Sequence, residues 1–129
     1  MRCETQSRSE QSKRQSLPFE DVRSRLAEIL EAIRSIERFV KGMDADAYAH
    51  DERTQAAVER KLLIISEAAI RLRDTAEPLC PEVPWRDIRG IGNWLRHQYD
   101  RVDSEIIWNT IQDDLPPLKM AIERALQGS

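Results

Sequence analysis

The stretch VERKLLIISEAAIRL, residues 58–72, has apolar residues at the period of an α-helix. Leu63 and Ile70 form a second apolar stripe beside the main one, so we expect this helix to be covered on two sides and central in the fold. Glu67 lies between them, and we expect it to form a buried ion pair with an arginine, with a catalytic carboxylate as the alternative. The main stripe consists of Val58, Leu62, Ile65, Ala69 and Leu72.

The same periodicity extends upstream of this stretch. A first helix begins at Pro18, carries acidic residues in its first turn, where the helix dipole favours them, and stops at Gly42. A short acidic connector follows around residues 44–50. Asp51 is then a plausible N-cap for the central helix, which we expect to run to about Thr75.

Two further helices are predicted downstream. A stiff, proline-containing loop leads into a third helix that starts near Pro84. Asp103 caps a last helix, in which Pro116 and Pro117 remove backbone donors and predict a kink or break. Because no strand-like alternation competes, the sequence predicts an all-α, up-and-down bundle of four long helices plus a short connector helix.

Length and composition predict one domain. The chain has 129 residues, and residues 1–16 are so polar that we expect a disordered tail, which leaves residues 17–129 as the bundle domain. The net charge of −3 disfavours a protein that binds nucleic acid with its whole surface. Any affinity for phosphate must therefore come from a local concentration of lysine and arginine.

The cysteines and histidines give no support for a metal site or a disulfide framework. Cys3 and Cys80 belong to no CxxC or Cys/His cluster, which fits a reducing cytoplasm. Asp44 and Asp51 lie near His50, but helix capping explains both carboxylates without a metal. No apolar run approaches the roughly 18 residues that cross a bilayer, and the first 30 residues hold no signal-type apolar core. We expect no cofactor and no membrane association.

The run RGIGNWLRHQYDRVD, residues 89–103, divides the third helix into two sides. Gly90 and Gly92 each cost about 1 kcal/mol of helix stability relative to alanine, so their missing side chains should allow a helix or a ligand to approach closely. The polar side is either a solvated charged face or a binding site. The expected core side holds Trp85, Ile88, Gly92, Leu95 and Tyr99, widened by Ile91 and Trp94, and the polar side holds Arg89, Asn93, Arg96, His97 and Asp100.

Two long segments resemble one protein family. They are DERTQAAVERKLLIISEAAIRL, residues 51–72, and VPWRDIRGIGNWLRHQYDRVDSEIIWNTIQDDLPPLKMAI, residues 83–122. Their ordered blocks DERT, SEAA, PWR, HxYD and DLPxLK are similar to those of the HepT-like proteins, the DUF86 group of HEPN domains. The resemblance covers roughly residues 20 to 127.

The resemblance implies a biological setting as well as a fold. HepT-like proteins are helical bundles that dimerise about a two-fold axis and cleave RNA, without a metal, in the cleft between subunits. They act as toxins that are paired with a small nucleotidyltransferase antitoxin of the MNT type, in type VII-like toxin-antitoxin systems. The expected partners are therefore a second copy of the chain, such an antitoxin, and an RNA substrate such as tRNA.

The family's active motif is an arginine with a polar neighbour, followed after four to six residues by a histidine. Aligning His97 with that histidine puts Gly92 and Asn93 where the arginine and its neighbour stand in the family. Arg89 lies eight residues before His97, about 12 Å of helical rise, and Arg96 lies directly beside it. A partner's arginine can also approach from across a two-fold cleft.

These residues match the needs of metal-independent ribonuclease chemistry. Such cleavage requires a base for the 2′-hydroxyl proton, an acid for the leaving oxygen, and cations for the charge that builds on phosphorus. His97 is the expected base or acid, since histidine exchanges protons near neutral pH. Arg96 or Arg89 would hold the phosphate, and Asn93 would orient it or the RNA. Further contacts with RNA are expected from Arg86 and Arg101.

Tyr99 has two compatible roles. Its position on the core side of the helix predicts a packed ring. The pattern His97-Gln98-Tyr99 also matches the family site at which the antitoxin attaches AMP, and the added negative charge would block RNA. Because Gly92 replaces the family arginine, a second hypothesis stays open: a catalytically impaired binding module that acts as the dimeric partner of a nucleotidyltransferase.

Overall fold

The computed structural model describes residues 19–97 and 103–128, and every regular element in them is helical. The prediction of an all-α bundle with a short connector helix is confirmed. The predicted tail, residues 1–16, lies outside the described residues. The helices are α1 (Phe19–Phe39), α2 (Ala45–Ala49), α3 (Glu52–Leu72), α4 (Ala76–Leu79), α5 (Trp85–His97), α6 (Ser104–Asn109) and α7 (Leu115–Gln127).

Helix α3 lies at the centre of the bundle, packed against α1 on one side and α5 on another, while α1 also packs against α7. All five residues of its main apolar stripe are fully buried, as predicted. The apolar residues of α1 at the matching helical period, such as Ile29, Ile33 and Ile36, are buried as well. Burying these stripes against one another is the main stabilising contribution to such a bundle.

The second stripe of α3 is only partly covered within the described part of the chain. Leu63 is half-buried, and Ile70 is 49% exposed. The prediction of a buried ion pair at Glu67 is wrong, because its side chain is exposed, and it forms no ion pair with the residues that the structure describes. An exposed carboxylate keeps its hydration and needs no partner.

The predicted caps are present. Asp44 accepts a hydrogen bond from the backbone N–H of Ala47 at 2.8 Å, and Asp51 accepts one from that of Thr54 at 3.0 Å. These bonds satisfy donors that the first turn of a helix leaves unpaired. Helix capping therefore explains both carboxylates, as the sequence analysis proposed.

The last helical segment is interrupted where a break was predicted. Asp103 caps α6 by accepting from the N–H of Glu105, and residues Thr110–Asp114 then form a π-helical turn that leads into α7. Pro116 and Pro117 lie in the first turn of α7, where the missing donors have no intrahelical partner to lose. The wider turn keeps Ile107, Ile111 and Leu115 all buried on the same side.

None of the helices in residues 19–97 and 103–128 is long and apolar enough to cross a membrane.

Candidate functional site

The candidate site lies on α5, and a buried serine sets how closely that helix approaches α3. Ser66 is 1% exposed, and its hydroxyl donates to the carbonyl of Arg89 at 2.9 Å and accepts from the N–H of Gly92 at 3.1 Å. A Cβ at position 92 would lie only 3.0 Å from the Ser66 oxygen. At Gly92, the missing side chain therefore allows the close approach of another helix and not of a ligand.

The side chain of Arg89 forms an ion pair with a residue of α4 and hydrogen bonds with backbone carbonyls at the end of α3. Its Nη1 and Nη2 donate to the two carboxylate oxygens of Glu77 at 2.7 and 2.9 Å. Nη2 also donates to the carbonyl of Arg73 at 2.6 Å, and Nε donates to that of Ala69 at 3.3 Å. The hydrogen bond from Arg89 holds the pKa of the Glu77 carboxyl below its usual range.

Two of these bonds satisfy backbone carbonyls at the C-terminal end of α3. The last carbonyls of a helix have no intrahelical partner, and Arg73 has a φ of 55°, a left-handed conformation that disfavours side chains. The fork of Arg89 supplies donors to this turn. The structure therefore places the Arg89 guanidinium at the end of α3, bonded to Glu77 and two carbonyls, and its expected role as a phosphate ligand stays a prediction.

Arg96, Asn93 and His97 lie at the other end of α5, and all three side chains are exposed. Nη1 of Arg96 lies 3.5 Å from the point that a Cβ at Gly92 would occupy. The Arg96 guanidinium is thus folded back over the position at which the family arginine is expected. With the residues that the structure describes, Arg96 and His97 form no hydrogen bond or ion pair.

Of the remaining predicted site residues, Arg86 lies within the described part of the chain. Arg86 is exposed at the start of α5, one turn before Gly90. A Cβ at Gly90 would meet nothing within 4 Å, in contrast to Gly92. Tyr99 and Arg101 lie outside the described residues, and their roles stay predictions.

Among residues 19–97 and 103–128, no three histidine, cysteine or acidic side chains are grouped as metal ligands would be. Two positioning residues, Ser66 and Glu77, were missed in the sequence analysis. Ser66 is the one hydroxyl within the apolar run of α3, so its burial could have been suspected from the pattern. Glu77 lies in a short helix after the end of α3, where no periodicity links it to Arg89.

The comparisons with known proteins agree with the family suggested by the sequence. A family model described as "Ribonuclease HepT-like" matches residues 29–125. The chain is 37% identical over 99 residues to "Probable ribonuclease HepT" of Thermococcus cleftensis, a match that covers 77% of this chain and 90% of that protein. It is 31% identical over 103 residues to "Putative RNase MJ1380" of Methanocaldococcus jannaschii, covering 80% of this chain and 94% of that one.

No solved structure gives a significant match to the chain. The family model spans the central helix, the serine contact and the exposed end of α5 together, and the relatives align along most of both chains. The chain therefore belongs to the HepT-like ribonuclease family.

Proposed function

We propose that this chain is a metal-independent endoribonuclease that cuts RNA at the exposed end of α5. The observation that supports this most is the Arg96 guanidinium, which lies over Gly92, directly beside His97 in the chain. The family motif needs an arginine and a histidine together, and here the arginine is supplied from position 96. The names of the relatives, which describe ribonucleases, support the same activity.

The proposed reaction is an internal transesterification. His97 accepts the proton of the ribose 2′-hydroxyl, and the 2′-oxygen attacks the adjacent phosphorus to form a cyclic phosphate. The bond from phosphorus to the 5′-oxygen breaks, and that oxygen takes a proton from a general acid. Arg96 stabilises the negative charge on the non-bridging oxygens, and Asn93 orients the phosphate.

A two-fold dimer would complete this site. One imidazole cannot hold the proton of the attacking oxygen and supply that of the leaving oxygen in the same event, whereas two copies of His97 across a cleft can. The exposed second stripe of α3, which includes Ile70, is an apolar surface that a second copy could cover. Sedimentation that showed only monomer at micromolar concentration would contradict the dimer.

The two histidines of the chain provide a matched test of the activity. We expect wild-type protein to cut a labelled tRNA pool in the presence of a chelator, His97→Ala to lose about 100-fold or more, and His50→Ala to cut normally. His50 is also exposed but lies at the end of α2. Equal and negligible cutting by all three proteins would instead favour the catalytically impaired binding module.

We further propose that the chain is the toxin of a toxin-antitoxin pair and that an MNT-type nucleotidyltransferase attaches AMP to Tyr99. The support is the spacing of Tyr99, two residues after His97, which would bring a phosphate and a bulky base beside the site. The chain has two tyrosines, and Tyr48 is fully buried, so it is a natural internal control.

Incubation with an MNT-type nucleotidyltransferase, together with ATP, should add one adenylyl mass to the peptide that contains Tyr99. Tyr99→Phe should remove the addition. Modification at another residue, or none at all, would contradict the proposed regulation and leave the ribonuclease test unaffected.

A further inference from the structure

A groove of about 310 Å³ opens between α5 and α6, on the side of α5 away from Ser66. One wall carries the half-buried Trp94, and the other carries Ile106, which is 48% exposed. Gly90 also lines the groove, and Arg86 and Asp87 lie at the N-terminal end of α5. The groove therefore combines an aromatic side, an aliphatic side and one charge of each sign.

Gly90 is the feature that the fold itself does not explain. Glycine within a helix costs about 1 kcal/mol relative to alanine, and a Cβ at this position would meet nothing within 4 Å. Gly92 provides the contrast, because packing against Ser66 accounts for it. Packing within residues 19–97 and 103–128 therefore does not account for Gly90, which lines the groove without a side chain.

The groove also shares a helix face with the proposed cleavage site. At 100° per residue, Gly90 and His97 project within about 20° of one another, and His97 is about one turn beyond Trp94. A strand held in the groove would thus lie along the face that carries His97.

We propose that this groove is a nucleobase subsite, in which one base of a single-stranded RNA stacks on Trp94 and lies over the backbone of Gly90. This inference rests on the proposed function and names how the substrate is held. Aromatic side chains bind unpaired bases by stacking, and Arg86 supplies the positive charge for the adjoining phosphate.

Asp87 adds a preference among bases. A carboxylate accepts hydrogen bonds and donates none, so it favours the exocyclic amine of adenine, cytosine or guanine over uracil, whose base edge offers two carbonyl acceptors and a single N3–H donor. The subsite should therefore favour bases that carry an amine.

Fluorescence anisotropy of labelled RNA pentamers tests the subsite, with His97→Ala protein so that the probe stays intact. We expect pentamers of adenosine or cytidine to bind more tightly than those of uridine, and Asp87→Asn to remove the difference, because an amide also donates. Trp94→Ala should weaken binding of the adenosine pentamer about 10- to 100-fold.

Gly90→Gln is the more telling variant, because Trp94 also packs partly against the core and its removal can disturb the fold. Glutamine fills the groove while improving helix propensity, so the melting temperature should rise by about 4 °C as binding falls. Met120→Gln removes an exposed apolar side chain outside the groove and should leave binding unchanged.

Normal binding by both Gly90→Gln and Trp94→Ala would overturn the subsite. So would sedimentation in which Gly90→Gln converts a dimer to monomers, because the groove would then hold a second copy of the chain. Cutting by wild-type protein is measured separately. If cutting fails while binding still depends on Gly90 and Trp94, the proposed function falls and the base subsite stands.

Discussion

Two arginines of α5 that are seven residues apart have opposite surroundings. Arg89 faces the end of α3, where it pairs with both oxygens of Glu77 and with two backbone carbonyls. Arg96 lies above Gly92, beside the apolar side chain of Leu63, and pairs with none of the residues that the structure describes. The same residue type on the same side of one helix is thus bonded to a neighbouring helix end at one position and exposed at the other.

The difference shows that the contacts of an arginine depend on whether the neighbouring helix offers unbonded backbone carbonyls at that level. At the level of Arg89, α3 ends, so its carbonyls lack partners and accept from the guanidinium. At the level of Arg96, α3 is in mid-helix, where its carbonyls are already bonded within the helix. An arginine there finds no helix end to which it can donate.

The largest stability effect is expected at the contact that holds these two helices together. Gly92→Val puts a branched side chain against Ser66, whose hydroxyl would have to leave both of its buried hydrogen bonds. The free energy of unfolding should fall by about 3 kcal/mol in urea denaturation. An unchanged value would mean that the two helices can separate freely and that Gly92 does not set their distance.

A smaller loss is expected for the structural arginine. Arg89→Gln removes the ion pair with Glu77 and the bonds to the carbonyls of Ala69 and Arg73. We expect the free energy of unfolding to fall by about 2 kcal/mol, because the charged donors to Glu77 and to the carbonyls at the end of α3 are lost. Arg86→Gln is the matched control, since Arg86 is exposed on the same helix, and it should change stability little.

The smallest expected effect is the pH dependence of the difference in unfolding free energy between wild type and Arg89→Gln. The lowered pKa of Glu77 means that its ion pair stabilises the fold above the pKa of the unfolded carboxyl and loses this contribution as the pH falls through the folded pKa. The stability difference between wild type and Arg89→Gln should therefore shrink below about pH 4. A difference that stays constant down to pH 3 would assign the whole effect to the carbonyl contacts.

The sequence predicted the fold well because its signals are local. Helical periodicity identifies the buried stripe of α3, and Asp44, Asp51 and Asp103 cap the helices at which they were expected. Glu67 was mispredicted because periodicity shows which residues share a face, but not whether a second layer covers that face.

The candidate site was less predictable, because it depends on contacts across the chain. From spacing alone, Arg89 and Arg96 were both candidate phosphate ligands. Their surroundings differ because Glu77 and the end of α3 lie beside Arg89. In the same way, Gly90 and Gly92 are alike in sequence, whereas one is open and the other lies against Ser66. Residues 98–102, which include Tyr99 and Arg101, lie outside the described residues, so their predicted roles were not tested.

The contrast between the two arginines is tested most directly by measuring RNA cutting and urea unfolding side by side for Arg96→Gln and Arg89→Gln. We expect Arg96→Gln to lose about 100-fold in cutting at unchanged stability, since it removes charge stabilisation in the transition state only. Arg89→Gln should lose stability yet cut at a near-normal rate at temperatures where it is folded. Folded Arg89→Gln that cannot cut, alongside Arg96→Gln that cuts normally, would contradict the account.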